Sequence, residues 1–158
     1  MSEFRPIEGN FEVGEARFAI VVSRWNENIT ENLLTGALRA LARHNVAESC
    51  IDVIRVPGAF ELPATAMKVA EQGKVDAVIT LGCVIRGGTP HFEYVCSECT
   101  RGIGEVALVT GLPIAFGVLT TDDLKQSEDR SGDNDENKGV EAALTALEMV
   151  SLFTQFED

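Results

Sequence analysis

The sequence predicts a three-layer α/β/α sandwich in which a central, mainly parallel four-stranded sheet carries helices on both faces. Two observations predict it. Short apolar runs rich in valine and isoleucine recur along the chain, and stretches with the apolar spacing of a helix alternate with them.

The first run, Phe18–Val22, is read as a strand, and Leu34, Ala37, Leu38 and Leu41 follow it at i, i+3, i+4 and i+7, the stripe of a helix facing a sheet. Ile51–Val56 and Val75–Leu81 are the second and third strands. Phe92, Val95, Cys96 and Cys99 then repeat the helical spacing, Ile114–Leu119 is the fourth strand, and Val140, Ala143, Leu144 and Leu147 mark a last helix. The runs are nearly continuous, as expected of strands buried on both faces. Alternating strands and helices imply right-handed crossovers and a flavodoxin-like arrangement, in which ligands bind beyond the carboxyl ends of the strands.

A chain of 158 residues suits one domain that buries roughly two thirds of the surface it would expose unfolded. Residues 1–158 are therefore read as a single domain, with 1–10 as an extended N-terminal arm. The 45% of hydrophobic and 24% of charged residues lie near the average for a globular protein, which excludes disordered and fibrous classes. A formal charge of −12 with no basic run argues against nucleic acid and anionic membranes as partners. No stretch approaches the ~18 apolar residues of a membrane span, and the start lacks the basic and apolar regions of a secretory signal, so a cytoplasmic location is expected. Cys50, Cys83, Cys96 and Cys99 are spaced irregularly and are read as free thiols. Cys96 and Cys99 have the spacing of half a zinc site, but no second pair completes it, and no metal is expected.

The strand-end rule directs attention to Arg24-Trp25-Asn26, Pro57-Gly58-Ala59-Phe60-Glu61, Arg86-Gly87-Gly88-Thr89-Pro90-His91 and Thr120-Thr121-Asp122. Trp25, the one tryptophan, either stacks on a planar heterocycle or covers the end of the core. Gly58 leaves room for a ligand to approach the backbone. Glu61, at a helix start, either complements the helix dipole or accepts hydrogen bonds from a polyhydroxyl chain. Thr89 suits a helix N-cap and Pro90 the first helical position. Backbone N–H groups beside Gly87 and Gly88 would form a nest for phosphate, with Thr89 adding a hydroxyl donor. His91 stands next to that nest, and an imidazole titrates near ~6.5, suited to carrying protons at neutral pH. His44, late in a helix beside Arg43, is given no chemistry.

A phosphate needs positive charge, and the polar tract from Ser127 to Lys138 holds only two cations, Arg130 and Lys138. An arginine fork clamps phosphate better than an ammonium does. Periodicity alone does not separate this role from a solvated loop.

Taken in order, Arg24-Trp25-Asn26 with Thr30, Val56 to Glu61, Gly82 to Val95, Phe116 to Thr121 and Asn137-Lys138-Gly139 closely resemble the lumazine synthase family, over about Phe11 to Phe153. The resemblance implies a cofactor-free enzyme. It would condense 5-amino-6-(D-ribitylamino)uracil with 3,4-dihydroxy-2-butanone 4-phosphate to 6,7-dimethyl-8-ribityllumazine, releasing phosphate and water. It further implies that Trp25 takes the place of an aromatic, usually phenylalanine, that stacks on the pyrimidinedione, while Ala59, Phe60 and Glu61 line the ribityl pocket. Cys83, Val84 and Ile85 would contact the heterocycle through main chain, Gly88 and Thr89 would contact the phosphate, and His91 would carry protons. Phe116 and Arg130 match residues that enter the site from a neighbouring subunit, and Lys138 matches a lysine near the phosphate. A homo-oligomer with shared sites follows, whether pentamer, decamer or sixty-subunit capsid, with riboflavin synthase as a candidate partner.

Where family members commonly read Arg-Ala-Gly-Thr-Lys-Ala-Gly-Asn-Lys-Gly, this chain has Arg130-Ser131-Gly132-Asp133-Asn134-Asp135-Glu136-Asn137-Lys138-Gly139. The loop keeps its length and reverses its charge, which is expected to weaken phosphate attraction and alter subunit contacts. Two rival readings are a non-catalytic flavin- or lumazine-binding module and a phosphosugar isomerase with His91 as base.

Overall fold

In the computed structural model, which describes residues 3–157, four parallel strands lie in the order β2-β1-β3-β4. They are β1 (Phe18–Ser23), β2 (Ile51–Val56), β3 (Ala77–Ile85) and β4 (Ile114–Thr121). The longer helices are α1 (Glu27–Arg43), α2 (Leu62–Glu71), α3 (His91–Thr110) and α5 (Lys138–Thr154), and a short α4 (Leu124–Asp129) follows β4. The expected three layers are present, with the sheet wholly rather than mainly parallel.

Strand alternation sorts the core onto two faces. Phe18, Ile20, Val22, Ile79 and Leu81 point to the layer of α1 and α5, where they meet Leu33, Leu41, Ala143 and Leu147. Ala19, Val21 and Val78 point the other way, onto Leu62 and Ala66 of α2 and Cys99, Ile103 and Val106 of α3. All six residues of β1 are buried, which fits its place between two partners. β2 departs from expectation. It is an edge strand, with Asp52, Val53 and Arg55 exposed, and only Val56 is buried.

β3 also differs from the sequence reading. It begins at Ala77 because Asp76 is spent on Arg17, accepting its N–H at 2.7 Å through the side chain and donating its own N–H to the Arg17 carbonyl at 2.7 Å. It runs on to Ile85 because β4 pairs with that extension, from Gly82↔Val118 to Ile85↔Thr121.

β1 is followed by a crossover to β2 on one side, and β3 by a crossover to β4 on the other. The strand order therefore reverses between β1 and β3, and a crevice opens at their carboxyl ends. The N-terminal segment crosses the far side of the molecule. Gln155 donates to the Glu8 carbonyl at 2.7 Å, Asn10 N–H to Ser151 Oγ at 3.1 Å, and the Phe11 ring packs 4.7 Å from His44 at the end of α1. Residues 3–10 form neither helix nor strand. The expected arm and the single domain extend at the chain ends to Met1, Ser2 and Asp158, which lie outside the described residues.

Among the described residues, no helix is long and apolar enough to cross a membrane.

Candidate functional site

The crevice is a cleft of about 550 Å³ at the ends of β1 and β3. Trp25, Ala59, Phe60, Glu61, Cys83, Val84, Ile85 and His91 all line it, which unites eight of the thirteen residues singled out from the sequence. Asn26, Tyr94 and Val95 line it as well and were not among them.

Trp25 follows β1 directly, and its N–H is held by the Pro57 carbonyl at 3.0 Å. With 65% of its surface exposed, the indole does not cover the end of the core. The room that Gly58 leaves is filled by Trp25 itself, so no ligand approaches the backbone there. Asn26 turns the chain into α1 through a left-handed conformation (φ 59°, ψ 47°), which asparagine tolerates better than most residues. Its amide donates to the Cys83 carbonyl at 2.9 Å and ties the end of β1 to the cleft floor. The sequence signal was an asparagine just after a strand end.

Glu61 closes a single 3-10 turn, Ala59–Glu61, before α2, and its Oε2 accepts the Gly58 N–H at 2.9 Å. One carboxylate oxygen thus caps its own turn. On the floor, Cys83 is 4% exposed, its Sγ lies 3.3 Å from Ser127 Oγ, and burial raises its pKa. The thiol faces the core, and its carbonyl is the group already bonded to Asn26.

His91 is the first residue of α3 and exposed, so its imidazole reaches the cleft from the rim. The segment before it corrects the sequence reading in two respects. Pro90 has helical dihedrals (φ −65°, ψ −1°), as a first helical residue does, but no side chain among the described residues caps α3, so the Thr89 hydroxyl does not fill the N-cap role. Gly87 and Gly88 have no left-handed φ and stand in open space, so the glycine pair does not fold into the alternating left- and right-handed turn of a backbone nest. What is available to an anion is the general one, the N–H groups of a helix's first turn. Gly88 and Thr89 are exposed at the rim and do not line the cleft.

Arg86, next to the Gly87-Gly88 pair in sequence, is engaged through Nε and Nη1. Its Nε donates to Asp122 at 2.8 Å, its Nη1 pairs with Glu93, and its charge stands 4.3 Å over the Phe92 ring. The bond from Arg86 holds the Glu93 carboxyl below its usual range.

Phe116, Arg130 and Lys138 are elsewhere. They line a second groove of about 490 Å³ along the outer edge of β4, where Phe116 is 44% exposed. Arg130 ends α4, with Nη1 donating to the Gln126 carbonyl at 2.9 Å. Lys138 begins α5 and pairs with Glu141 at 2.5 Å. α4 is pinned to the sheet by Ser127, which is fully buried, with its Oγ 2.6 Å from Thr121 Oγ1.

The acidic loop is not a free anionic patch. Arg39 of α1 pairs with Asp133 and donates to the Asn134 carbonyl at 2.9 Å, and Arg43 pairs with Asp135 at 2.7 Å. Two of the three acids of the loop, Asp133 and Asp135, are thus paired with arginines of α1.

The four cysteines are unpaired, and no group of histidine, cysteine and carboxylate side chains among the described residues has the arrangement of a metal site. Cys99 is 1% exposed, and burial pushes its thiol up to about 12, with Cys96 adding to the shift.

The family model described as 6,7-dimethyl-8-ribityllumazine synthase matches residues 15–154, a span that takes in all four strands, the cleft and the groove.

Proposed function

The chain belongs to the 6,7-dimethyl-8-ribityllumazine synthase family, and on that footing we propose that it condenses 5-amino-6-(D-ribitylamino)uracil with 3,4-dihydroxy-2-butanone 4-phosphate. The observation that carries this reading is the division of the site residues between two surfaces. The cleft has the exposed indole of Trp25, the Phe60 ring and the His91 imidazole, but neither arginine nor lysine lines it. The β4-edge groove has one exposed ring, Phe116, beside the cations Arg130 and Lys138. Each surface supplies what the other lacks, as expected if copies of the chain assemble head to tail and close each cleft with a neighbour's groove.

In such a composite site Trp25 and the neighbour's Phe116 hold the heterocycle. The main chain of Cys83, Val84 and Ile85 reads its edge, and Ala59, Phe60 and Glu61 receive the ribityl chain. Gly88, Thr89 and the first turn of α3 meet the phosphate from one side, and Arg130 and Lys138 of the neighbour meet it from the other. The 5-amino group adds to the ketone and water leaves, giving an imine. Loss of the C3 proton expels phosphate from C4 and leaves an enol, which tautomerises to a new C3 carbonyl with C4 as a methyl group, and the ribitylamino nitrogen attacks that carbonyl with loss of a second water. Two waters and one phosphate leave with no net oxidation. His91 moves the protons, and the remaining rate comes from holding two substrates in reacting geometry and neutralising the departing phosphate.

In this reading residues 1–158 act as one cytoplasmic transferase domain that hands its product to riboflavin synthase. The test is to mix the purified protein with both substrates and follow lumazine absorbance and inorganic phosphate together. Equimolar appearance of both is expected. Binding without turnover would point to a lumazine- or flavin-binding module, and rearrangement of the phosphosugar without the pyrimidine to an isomerase.

A further inference from the structure

Arg130 and Lys138 are the two ends of one short loop, closed by the Lys138 N–H donating to the Arg130 carbonyl at 2.9 Å. Whatever fixes that loop also fixes the separation and direction of both cations.

The loop is seated on α1. Asn137 is 2% exposed, and its amide donates to the carbonyls of Asn32 at 3.1 Å and Gly132 at 2.9 Å, while its Oδ1 accepts the Gly139 N–H at 2.7 Å. The approach is close enough to exclude a β-carbon. One added at Gly36 would stand 2.5 Å from Asn137 Oδ1, and one at Gly139 would stand 1.9 Å from the Leu33 carbonyl oxygen. Asn137 anchors the end of the loop next to Lys138. The middle, from Asp133 to Asp135, has no buried residue to hold it. What grips it is a pair of arginines one helical turn apart on α1, Arg39 on Asp133 and the Asn134 carbonyl, and Arg43 on Asp135. The Arg43 bond also holds the Asp135 carboxyl below its usual range.

We propose that Asp133 and Asp135, gripped by Arg39 and Arg43, are positioning residues: an ionic clasp that holds the phosphate-binding ends of the loop, Arg130 and Lys138, in register. The proposal rests on the phosphate role given to those two cations above. It also accounts for acids standing so near a proposed anion site. Their charge is spent on α1, and their contribution to phosphate binding is geometric.

Geometry and field predict opposite signs. If the two aspartates acted on phosphate only through their charge, removing it would tighten binding of the phosphoketone. If they act as a clasp, removing it frees the loop and weakens binding. The test is steady-state kinetics on Asp133→Asn/Asp135→Asn in the full-length protein, with thermal unfolding followed in parallel. Loss of the exposed pairs is expected to leave the fold intact and to raise KM for the phosphoketone roughly three- to tenfold, with kcat and the pyrimidine KM little changed. Asp135→Lys alone should raise the phosphoketone KM, and adding Arg43→Glu, which restores an opposite-charge pair, should return it towards wild type. A phosphoketone KM that is unchanged or lower in Asp133→Asn/Asp135→Asn overturns the clasp, and so does an equal rise in both KM values. Arg130→Ala, measured alongside, separates the two failures. If it raises the phosphoketone KM while the double variant does not, only the clasp falls, and if it too has no effect, the phosphate assignment falls and the clasp with it.

Discussion

The indole of Trp25 lies where a β-carbon on Gly58 would stand, with Cε3 2.3 Å and Cζ3 2.5 Å from that point. Gly58 therefore serves as a seat for the ring. Its backbone is extended (φ −139°, ψ −179°), a conformation any residue adopts, so an added methyl group meets the ring and not a forbidden dihedral.

Gly58→Ala should accordingly swing the indole away at little cost in stability, within about 1 kcal/mol, because the ring is exposed and free to move. The expected outcome is a several-fold rise in KM for the pyrimidine and a shifted emission from the single tryptophan. An unchanged pyrimidine KM would mean that the position of the indole does not matter to binding.

His91→Ala should lower kcat by roughly ten- to a thousandfold with little change in either KM, the loss expected for one proton carrier. Retention of the wild-type kcat would remove His91 from the chemistry.

Arg130→Ala should raise KM for the phosphoketone well above any change for the pyrimidine, because the guanidinium ends α4 on the groove that also holds Lys138. Equal rises in both would contradict its assignment to the phosphate.

The Cys99 thiol, pushed up to about 12 by burial, stays protonated where an ordinary thiol near ~8.5 has begun to ionise. Alkylation at pH 8 followed by peptide mass spectrometry should leave Cys99 unmodified until the protein unfolds. For stability the sign follows from the raised folded-state value. The buried thiol costs nothing below the unfolded pKa, and stability falls as pH rises from there towards the folded one. Cys99→Ala should flatten that alkaline decline, at the cost of a small cavity.

The layers were legible in the sequence because burial on both faces writes itself as continuous valine and isoleucine runs in β1 and the first half of β3. Features set by distant partners were not. In sequence the third strand reads as ending at Leu81, and only the register of Gly82 to Ile85 with Val118 to Thr121 shows that it runs on. β2 reads like the other strands although Asp52 and Arg55 interrupt its apolar run, the charged residues expected of an edge strand. Ala59 to Glu61, Cys83 to Ile85, Trp25 and His91 converge as the strand-end rule predicts. The charge reversal of the acidic loop was legible, but the pairing of Asp133 and Asp135 was not, because Arg39 and Arg43 lie more than ninety residues away in the chain. Asn26 is marked in the sequence as part of a strand-end segment but given no role of its own, because that role depends on a left-handed backbone and on a carbonyl 57 positions away.

The central claim is that one chain carries two half-sites, His91 in the cleft and Arg130 on the groove, which work only across a subunit boundary. The most direct measurement is to unfold His91→Ala and Arg130→Ala together in equal amounts, refold the mixture, and compare its turnover with each parent refolded alone. In a head-to-tail ring with random placement, about one quarter of the interfaces join an intact cleft to an intact groove, because each face has an even chance of being wild type. Activity should then recover towards roughly a quarter of the wild-type value, provided the sites act independently. Mixed rings, verified by mass spectrometry, that stay as inactive as their parents would contradict the account and place the whole site within one chain.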